Sequence, residues 1–168
     1  TSPGIPTSHP WMLSLAKRAT PVISELELGF QHASCLNISV TGTNGKTTTT
    51  GLIDRILTEN QVKTKVAGNK GIPICSLVRE SRELDFLTLE VSVFQLEHIR
   101  FFRPAVAVLL NITADHMDRY ERASDYVLAK ARLLENQQSF DWAIIQSEVL
   151  AQLQTMNVPI QSKVITFS

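Results

Sequence analysis

Ile38-Ser-Val-Thr-Gly-Thr-Asn-Gly-Lys-Thr47 sets an apolar, β-branched run before a turn with two glycines, then puts Gly45-Lys46-Thr47 in front of a stretch of helical period. A strand that feeds a glycine turn and then a helix start is the layout of a phosphate-binding loop. The glycines let backbone N–H groups turn toward an anion, and the helix N-terminus adds partial positive charge. Lys46 adds a full charge, and the Thr47 hydroxyl can ligate Mg2+. The segment is expected to hold the phosphates of a nucleotide, ATP first, through Gly42, Thr43, Asn44, Gly45, Lys46, Thr47 and Thr48. The usual pattern has a glycine five positions before Gly45, where Val40 stands, so the loop is a shortened variant. A competing reading makes Thr47-Thr-Thr-Thr50 a strand, with Gly-Lys a mere turn. Against it, Leu52, Ile53, Ile56 and Leu57 fall on one helical face that a strand would split. Four threonines cost a helix about 1–2 kcal/mol relative to alanine. Such a local conflict is expected where function fixes the sequence.

Working outward, short β-branched runs at 35–40, 63–67, 86–91, 105–110, 142–146 and 163–167 alternate with helical patterns at 10–19, 46–60, 74–82, 124–138 and 147–156. This predicts an α/β fold, a mostly parallel sheet with helices on both faces. The run 105–110 is apolar throughout, as a central strand should be, and follows Pro104, which a strand start tolerates. Residues 1–10, rich in proline and hydroxyl residues, read as a linker into the domain.

Lysine plus arginine and aspartate plus glutamate each number 16, so there is no basic excess for a nucleic-acid backbone. The apolar run 105–110 is far short of the roughly 20 residues a membrane helix needs. Neither nucleic acid nor membrane is an expected partner. Cys35 and Cys75 lie apart in apolar stretches and read as small buried thiols, suited to a reducing cytoplasm.

Three further positions carry chemistry. Glu90 closes a predicted strand, and the carboxyl ends of parallel strands face the ligand crevice, so it is placed to hold Mg2+. The alternative is a solvated carboxylate, which the apolar Leu89 and Val91 oppose. His116 follows the strand 105–110 at the same edge of the sheet. A lone histidine is more often structural, although Asp115 and Asp118 could orient it as a metal ligand. Lys130 lies at the border of an expected stripe of Val127, Leu128, Ala131 and Leu134, where the ordinary reading is a lysine snorkelling to water.

The segments Ser2-Pro-Gly-Ile-Pro6, Thr41–Thr47, Gly68-Asn-Lys-Gly-Ile-Pro73, Glu90-Val-Ser-Val-Phe-Gln-Leu96 and Asn111-Ile-Thr-Ala-Asp-His-Met-Asp-Arg-Tyr120, with Ala129-Lys130, resemble the Mur ligase family. These are ATP-dependent amide-forming enzymes of peptidoglycan precursor synthesis. The loop alone marks the wider superfamily, folylpolyglutamate synthetases included. The first and fourth segments resemble the D-glutamate-adding branch. The resemblance implies a P-loop NTPase-like central domain at 11–168, entered from a UDP-binding domain through 1–10 and cut short at its C-terminal end. It implies ATP and two Mg2+ as cofactors, with UDP-N-acetylmuramoyl-L-alanine and D-glutamate as partners of a cytoplasmic, monomeric parent. The excised piece is expected to lack ligase activity and to self-associate. Lys46, Lys130 and His116 are then the catalytic set. Thr47, Glu90, His116 and Lys130, once carbamylated, serve the metals, while Asn69, Ser92 and Gln95 face the UDP-muramoyl substrate. Val93 stands where the family pattern usually has a serine. A P-loop kinase, a nucleotide switch and a non-catalytic nucleotide-binding module are the rival readings. They account for Gly45–Thr47 but give no joint role to Asn69, Gln95, His116 and Lys130.

Overall fold

The computed structural model describes residues 5, 9–113, 119–120 and 122–168. Six strands make one sheet: β1 Leu36–Thr41, β2 Thr64–Gly68, β3 Phe86–Glu90, β4 Val106–Leu109, β5 Trp142–Gln146 and β6 Lys163–Phe167. Their order is β2-β3-β1-β4-β5-β6, and every neighbouring pair is parallel. Each strand lies within one residue of its expected bounds at either end. The helices are α1 Pro10–Lys17, α2 Glu25–His32, α3 Lys46–Glu59, α4 Ile74–Leu77, α5 Val93–Leu96, α6 Ala123–Ala131 and α7 Ser147–Thr155.

Side-chain alternation along the strands sorts two apolar layers. Leu87, Leu89, Ala107, Leu109, Ala143 and Ile145 point to one face, where Leu26 of α2, Ile74 and Leu77 of α4, Val127 and Ala131 of α6, and Val149 and Leu153 of α7 cover them. Ile38, Val40 and Val108 point to the other, against Ile53 and Leu57 of α3. Helices on both faces bury the parallel strands, as the alternation predicts. Burying one such leucine or isoleucine contributes roughly 1.5–3 kcal/mol, more than the threonine-rich start of α3 costs it in propensity.

Two helical stripes are turned from their expected setting. On α3, Ile53 and Leu57 meet the sheet while Leu52 and Ile56 are exposed. On α6, Leu128 is 45% exposed, and the buried side runs through Tyr126, Val127, Lys130 and Ala131. Lys130 is 2% exposed, so it does not snorkel. The expected helix 74–82 breaks into α4 and a 3-10 turn, Glu80–Glu83. There the Ser81 hydroxyl donates to the Val78 carbonyl at 2.7 Å, a local bond that competes with the helical ladder. The helix expected over 124–138 ends in a 3-10 turn at Arg132–Leu134, where the Arg132 guanidinium reaches across to the carbonyls of Glu97 and Ile99. Cys75 is exposed and Cys35 half-buried, against the expectation of two buried thiols.

Helix α2 was not expected from the sequence. Its Ser24 cap accepts the Glu27 N–H, and the fully buried Glu27 carboxylate accepts the backbone N–H groups of Arg100, Phe101 and Phe102 at 2.8, 3.0 and 2.9 Å. A carboxylate facing inward from an acidic octapeptide defeats an apolar-periodicity reading. It is buried because three backbone donors replace its water. Among the described residues no helix is long and apolar enough to cross a membrane.

Candidate functional site

Strand β1 is central, flanked by β3 on one side and β4 on the other, so the loops after β1, β3 and β4 meet at one end of the sheet. In an open parallel sheet that crevice is where ligands bind. Val40 is fully buried, and β1 continues through Thr41, so the strand occupies the place of the usual first glycine and the turn shrinks to Gly42–Gly45. Gly45 holds φ +84° as the N-cap of α3, a conformation that suits glycine. No side chain caps the first turn of α3, so its backbone N–H groups face the crevice.

Asn111 and Thr113, beyond β4, brace this loop. The Thr43 N–H donates to the Asn111 carbonyl at 3.0 Å. Asn111 accepts the Asn44 N–H through Oδ1 at 2.9 Å and returns Nδ2 to the Asn44 carbonyl at 3.0 Å. Thr43 Oγ1 donates to the Thr113 carbonyl at 3.2 Å and lies 3.3 Å from the Tyr126 hydroxyl.

Lys46 Nζ donates to the Gly42 and Thr43 carbonyls at 2.9 and 3.0 Å. Lys130 Nζ comes from α6 to donate to the same Gly42 oxygen at 3.0 Å, and lies 4.7 Å from the Tyr126 ring centroid. Two ammonium groups thus converge on one carbonyl at a cavity of about 200 Å³, lined also by Asn69, Ser92, Phe94 and Tyr126. A larger neighbouring cavity of about 450 Å³, lined by residues such as Ile112, Val127 and Met156, carries no charged side chain among the described residues.

Thr47, in the first turn of α3, donates its hydroxyl to Glu90 Oε2 at 2.6 Å, and Asn69 Nδ2 donates to Glu90 Oε1 at 3.0 Å. Glu90 is 4% exposed, not a solvated surface carboxylate. Gly68 fixes it: the two residues face each other across β2 and β3, and the Asn69 N–H donates to the Glu90 carbonyl at 2.8 Å. Among the described residues no group of three or more His, Cys, Asp or Glu could hold a metal. The donor set is instead one hydroxyl and one carboxylate beside a phosphate loop. These hard oxygens suit Mg2+, which takes few protein ligands and completes its shell with phosphate oxygens and water.

Ser92 caps α5 and lines the cavity. Gln95 is 3% exposed, and its Oε1 is engaged by the Ser92 N–H and hydroxyl at 3.0 and 3.2 Å. Val93 is buried at the cavity wall, supplying apolar surface in place of a hydroxyl. Thr48 sits in the exposed first turn of α3. His116, with Asp115 and Asp118, lies outside the described residues, as does the 1–10 linker apart from Ile5, His9 and Pro10. Tyr126, Phe94, Asn111 and Thr113 had no assigned role in the sequence reading. Phe94, Asn111 and Thr113 stand within the segments that carry the family resemblance, and Tyr126 lies one helical turn before Lys130 and so on the same face.

A model of the Mur ligase middle domain matches residues 40–168. UDP-N-acetylmuramoylalanine--D-glutamate ligases of Geobacter metallireducens and Geotalea uraniireducens are 44% and 47% identical over 86% and 88% of the chain. The chain spans about a third of these relatives, 32% of each. The MurF ligase of Thermotoga maritima, solved in complex with ADP, superposes over 84% of the chain and 34% of its own, with TM-score 0.67 and 19% identity, a likeness of fold. With the family's middle domain matched over residues 40–168, most of this chain, and with Lys46 and Lys130 meeting in one cavity beside the Glu90 partner Asn69, the chain belongs to the Mur ligase family.

Proposed function

We propose that this chain is the ATP- and Mg2+-binding middle domain of a cytoplasmic, ADP-forming ligase that joins D-glutamate to UDP-N-acetylmuramoyl-L-alanine. The observation that carries the reading is the convergence of Lys46 and Lys130 on one cavity at the phosphate loop, where the wall residue Asn69 also holds Glu90, itself the acceptor of the Thr47 hydroxyl. The names of the relatives supply the substrates.

In the proposed reaction the alanyl carboxylate takes the γ-phosphoryl group of ATP, releasing ADP. The amine of D-glutamate then attacks the acyl carbon, losing a proton as phosphate leaves. The backbone N–H groups at the start of α3 bind phosphate oxygens, and Lys46 exchanges its bonds to Gly42 and Thr43 for the γ-phosphoryl group as charge builds there. Thr47 and Glu90 would hold Mg2+, which offsets charge on the phosphates. Lys130 lines the cavity whose wall includes the Glu90 partner Asn69, so a carbamate on its Nζ would supply an anion beside the Thr47–Glu90 donor set, with His116 a further ligand. Asn69 orients Glu90, and Ser92, held by Gln95, meets the UDP-muramoyl substrate.

The test is phosphate release by the complete gene product with and without UDP-N-acetylmuramoyl-L-alanine and D-glutamate. Release is expected only with both present, and Lys46→Ala should lower it by well over about tenfold, as loss of a transition-state charge contact does. A variant that keeps more than about a tenth of the wild-type rate refutes the assignment.

A further inference from the structure

Arg119 and Tyr120 both send their side chains to one carboxylate outside the cavity. Glu97 Oε1 accepts the Tyr120 hydroxyl at 2.5 Å, and Oε2 accepts Arg119 Nη2 at 3.3 Å. Glu97 is the C-cap of α5, and its carbonyl accepts Arg132 Nη1 at 2.7 Å, which ties the cap to the end of α6. Burial, and after it the Glu97 carboxylate, holds the Tyr120 phenol well above its usual range, so it remains the donor.

Both arms lead back to the cavity. The Arg119 guanidinium lies 4.0 Å from the ring centroid of Phe94, a cavity wall. Tyr120 packs edge-on against Tyr126 with centroids 5.4 Å apart, and the Tyr126 hydroxyl lies 3.3 Å from Thr43 Oγ1 in the phosphate loop. The Glu97 and Arg119 side chains are only 18% and 20% exposed, so their pairing is less weakened by solvent than a surface ion pair. A staple that merely joined two loops would not need to end on two walls of one site.

We propose that Glu97 is a positioning residue for the phosphate site, setting Phe94 through Arg119 and Thr43 through Tyr120 and Tyr126. The inference rests on the phosphate-binding reading of the Gly42–Lys46 loop. Its test is steady-state ADP release by the complete gene product carrying Glu97→Gln, Tyr120→Phe or both, with melting temperatures measured alongside. Each single variant should raise KM for ATP about three- to tenfold, the usual net worth of a single hydrogen bond, and leave kcat within about twofold. The double variant should be little worse than the stronger single one, because both break the same contact.

Unchanged KM for ATP in Glu97→Gln overturns the proposal. So does a double variant whose effects multiply, or an equal rise in KM for all three substrates that follows the melting temperature, since those mark a structural staple. Should Glu97→Gln fail to fold, Tyr120→Phe, which removes one hydroxyl, decides alone. Lys46→Ala separates the two readings. If it is inactive while Glu97→Gln matches wild type, only the positioning role falls. If it turns over ATP normally, or if the wild type releases no ADP, the phosphate reading falls and this inference with it.

Discussion

Gly68→Ala should dislodge the carboxylate of the candidate metal site from behind. Gly68 ends β2 opposite Glu90 and holds φ +114°, where side-chain-bearing residues are rare. A Cβ there would stand 2.2 Å from the Glu90 carbonyl oxygen and 3.1 Å from both its carbonyl carbon and its nitrogen. A carbon and a carbonyl oxygen ordinarily keep about 3.3 Å apart, so the strand ends must separate by about 1 Å. The atoms in the way are backbone, and no side-chain rotation relieves the contact. Separation also stretches the bond from Asn69 N–H to the Glu90 carbonyl, 2.8 Å long. The backbone conformation costs about 1–3 kcal/mol and the overpacking about 1–3 more, so roughly 2–6 kcal/mol in all. At this chain length each kcal/mol moves the melting point by about 2–4 °C, so a fall of at least about 4 °C is expected. Thermal unfolding followed by far-UV circular dichroism measures it, with Gly51→Ala as the control. Gly51 lies inside α3, and beyond the helix's own neighbouring backbone nothing described comes within 4 Å of its would-be Cβ, so the same substitution should stabilise by about 0.5–1 kcal/mol. If Gly68→Ala melts within about 2 °C of wild type, or if Gly51→Ala falls as far, steric contact with Glu90 is not what keeps position 68 a glycine.

Cys75 is exposed, yet burial and then the neighbouring Glu25 push its thiol from an ordinary 9.0 to about 11. Near neutral pH its thiolate fraction falls about 100-fold while the more basic thiolate gains about tenfold in nucleophilicity, so it should alkylate with iodoacetamide about tenfold more slowly than an unperturbed thiol, and Glu25→Gln should recover part of the rate; reactivity equal to free cysteine contradicts this. Burial holds the His98 pKa below its ordinary 6.5, and its Nε2 has no hydrogen-bond partner among the described residues. The unfolded chain therefore takes up that proton first, so His98 leaves stability intact above pH 6.5 and erodes it as the pH falls through 6.5. The urea midpoint should drop between about pH 7.5 and about pH 5.5, less so in His98→Gln; equal drops in both proteins remove His98 as the cause.

The strands were legible because each is a short run with apolar and β-branched residues closed by a turn, and the inner strands β1, β3 and β4, covered on both faces, are buried at almost every position. The phosphate loop was legible because Gly45-Lys46-Thr47 is local, its chemistry written in consecutive residues. What escaped was non-local. Helix α2 is held by Glu27 capturing three N–H groups more than seventy positions away, and no window of sequence shows that. Asn111 and Thr113 brace Thr43 and Asn44 across a gap of similar length. Their residue types, an amide and a hydroxyl after a strand, are what any turn would carry.

Lys130 shows how the two kinds of information combine. Periodicity placed it at the edge of an apolar stripe, and a lysine there ordinarily reaches for water. The structure turns α6 so that Tyr126 and Lys130 take the inner positions and Leu128 the outer one, at the expense of an exposed leucine. Burying an ammonium is costly unless it is paired. Among its partners are the Gly42 carbonyl and the face of Tyr126, both of them parts of the phosphate site. A helix set only by its own apolar pattern would bury Leu128 and send Lys130 outward. That α6 does the reverse means the phosphate loop, reached through Gly42 and Thr43, helps to set its rotation, so the residues that build the site also decide how this part of the core is packed.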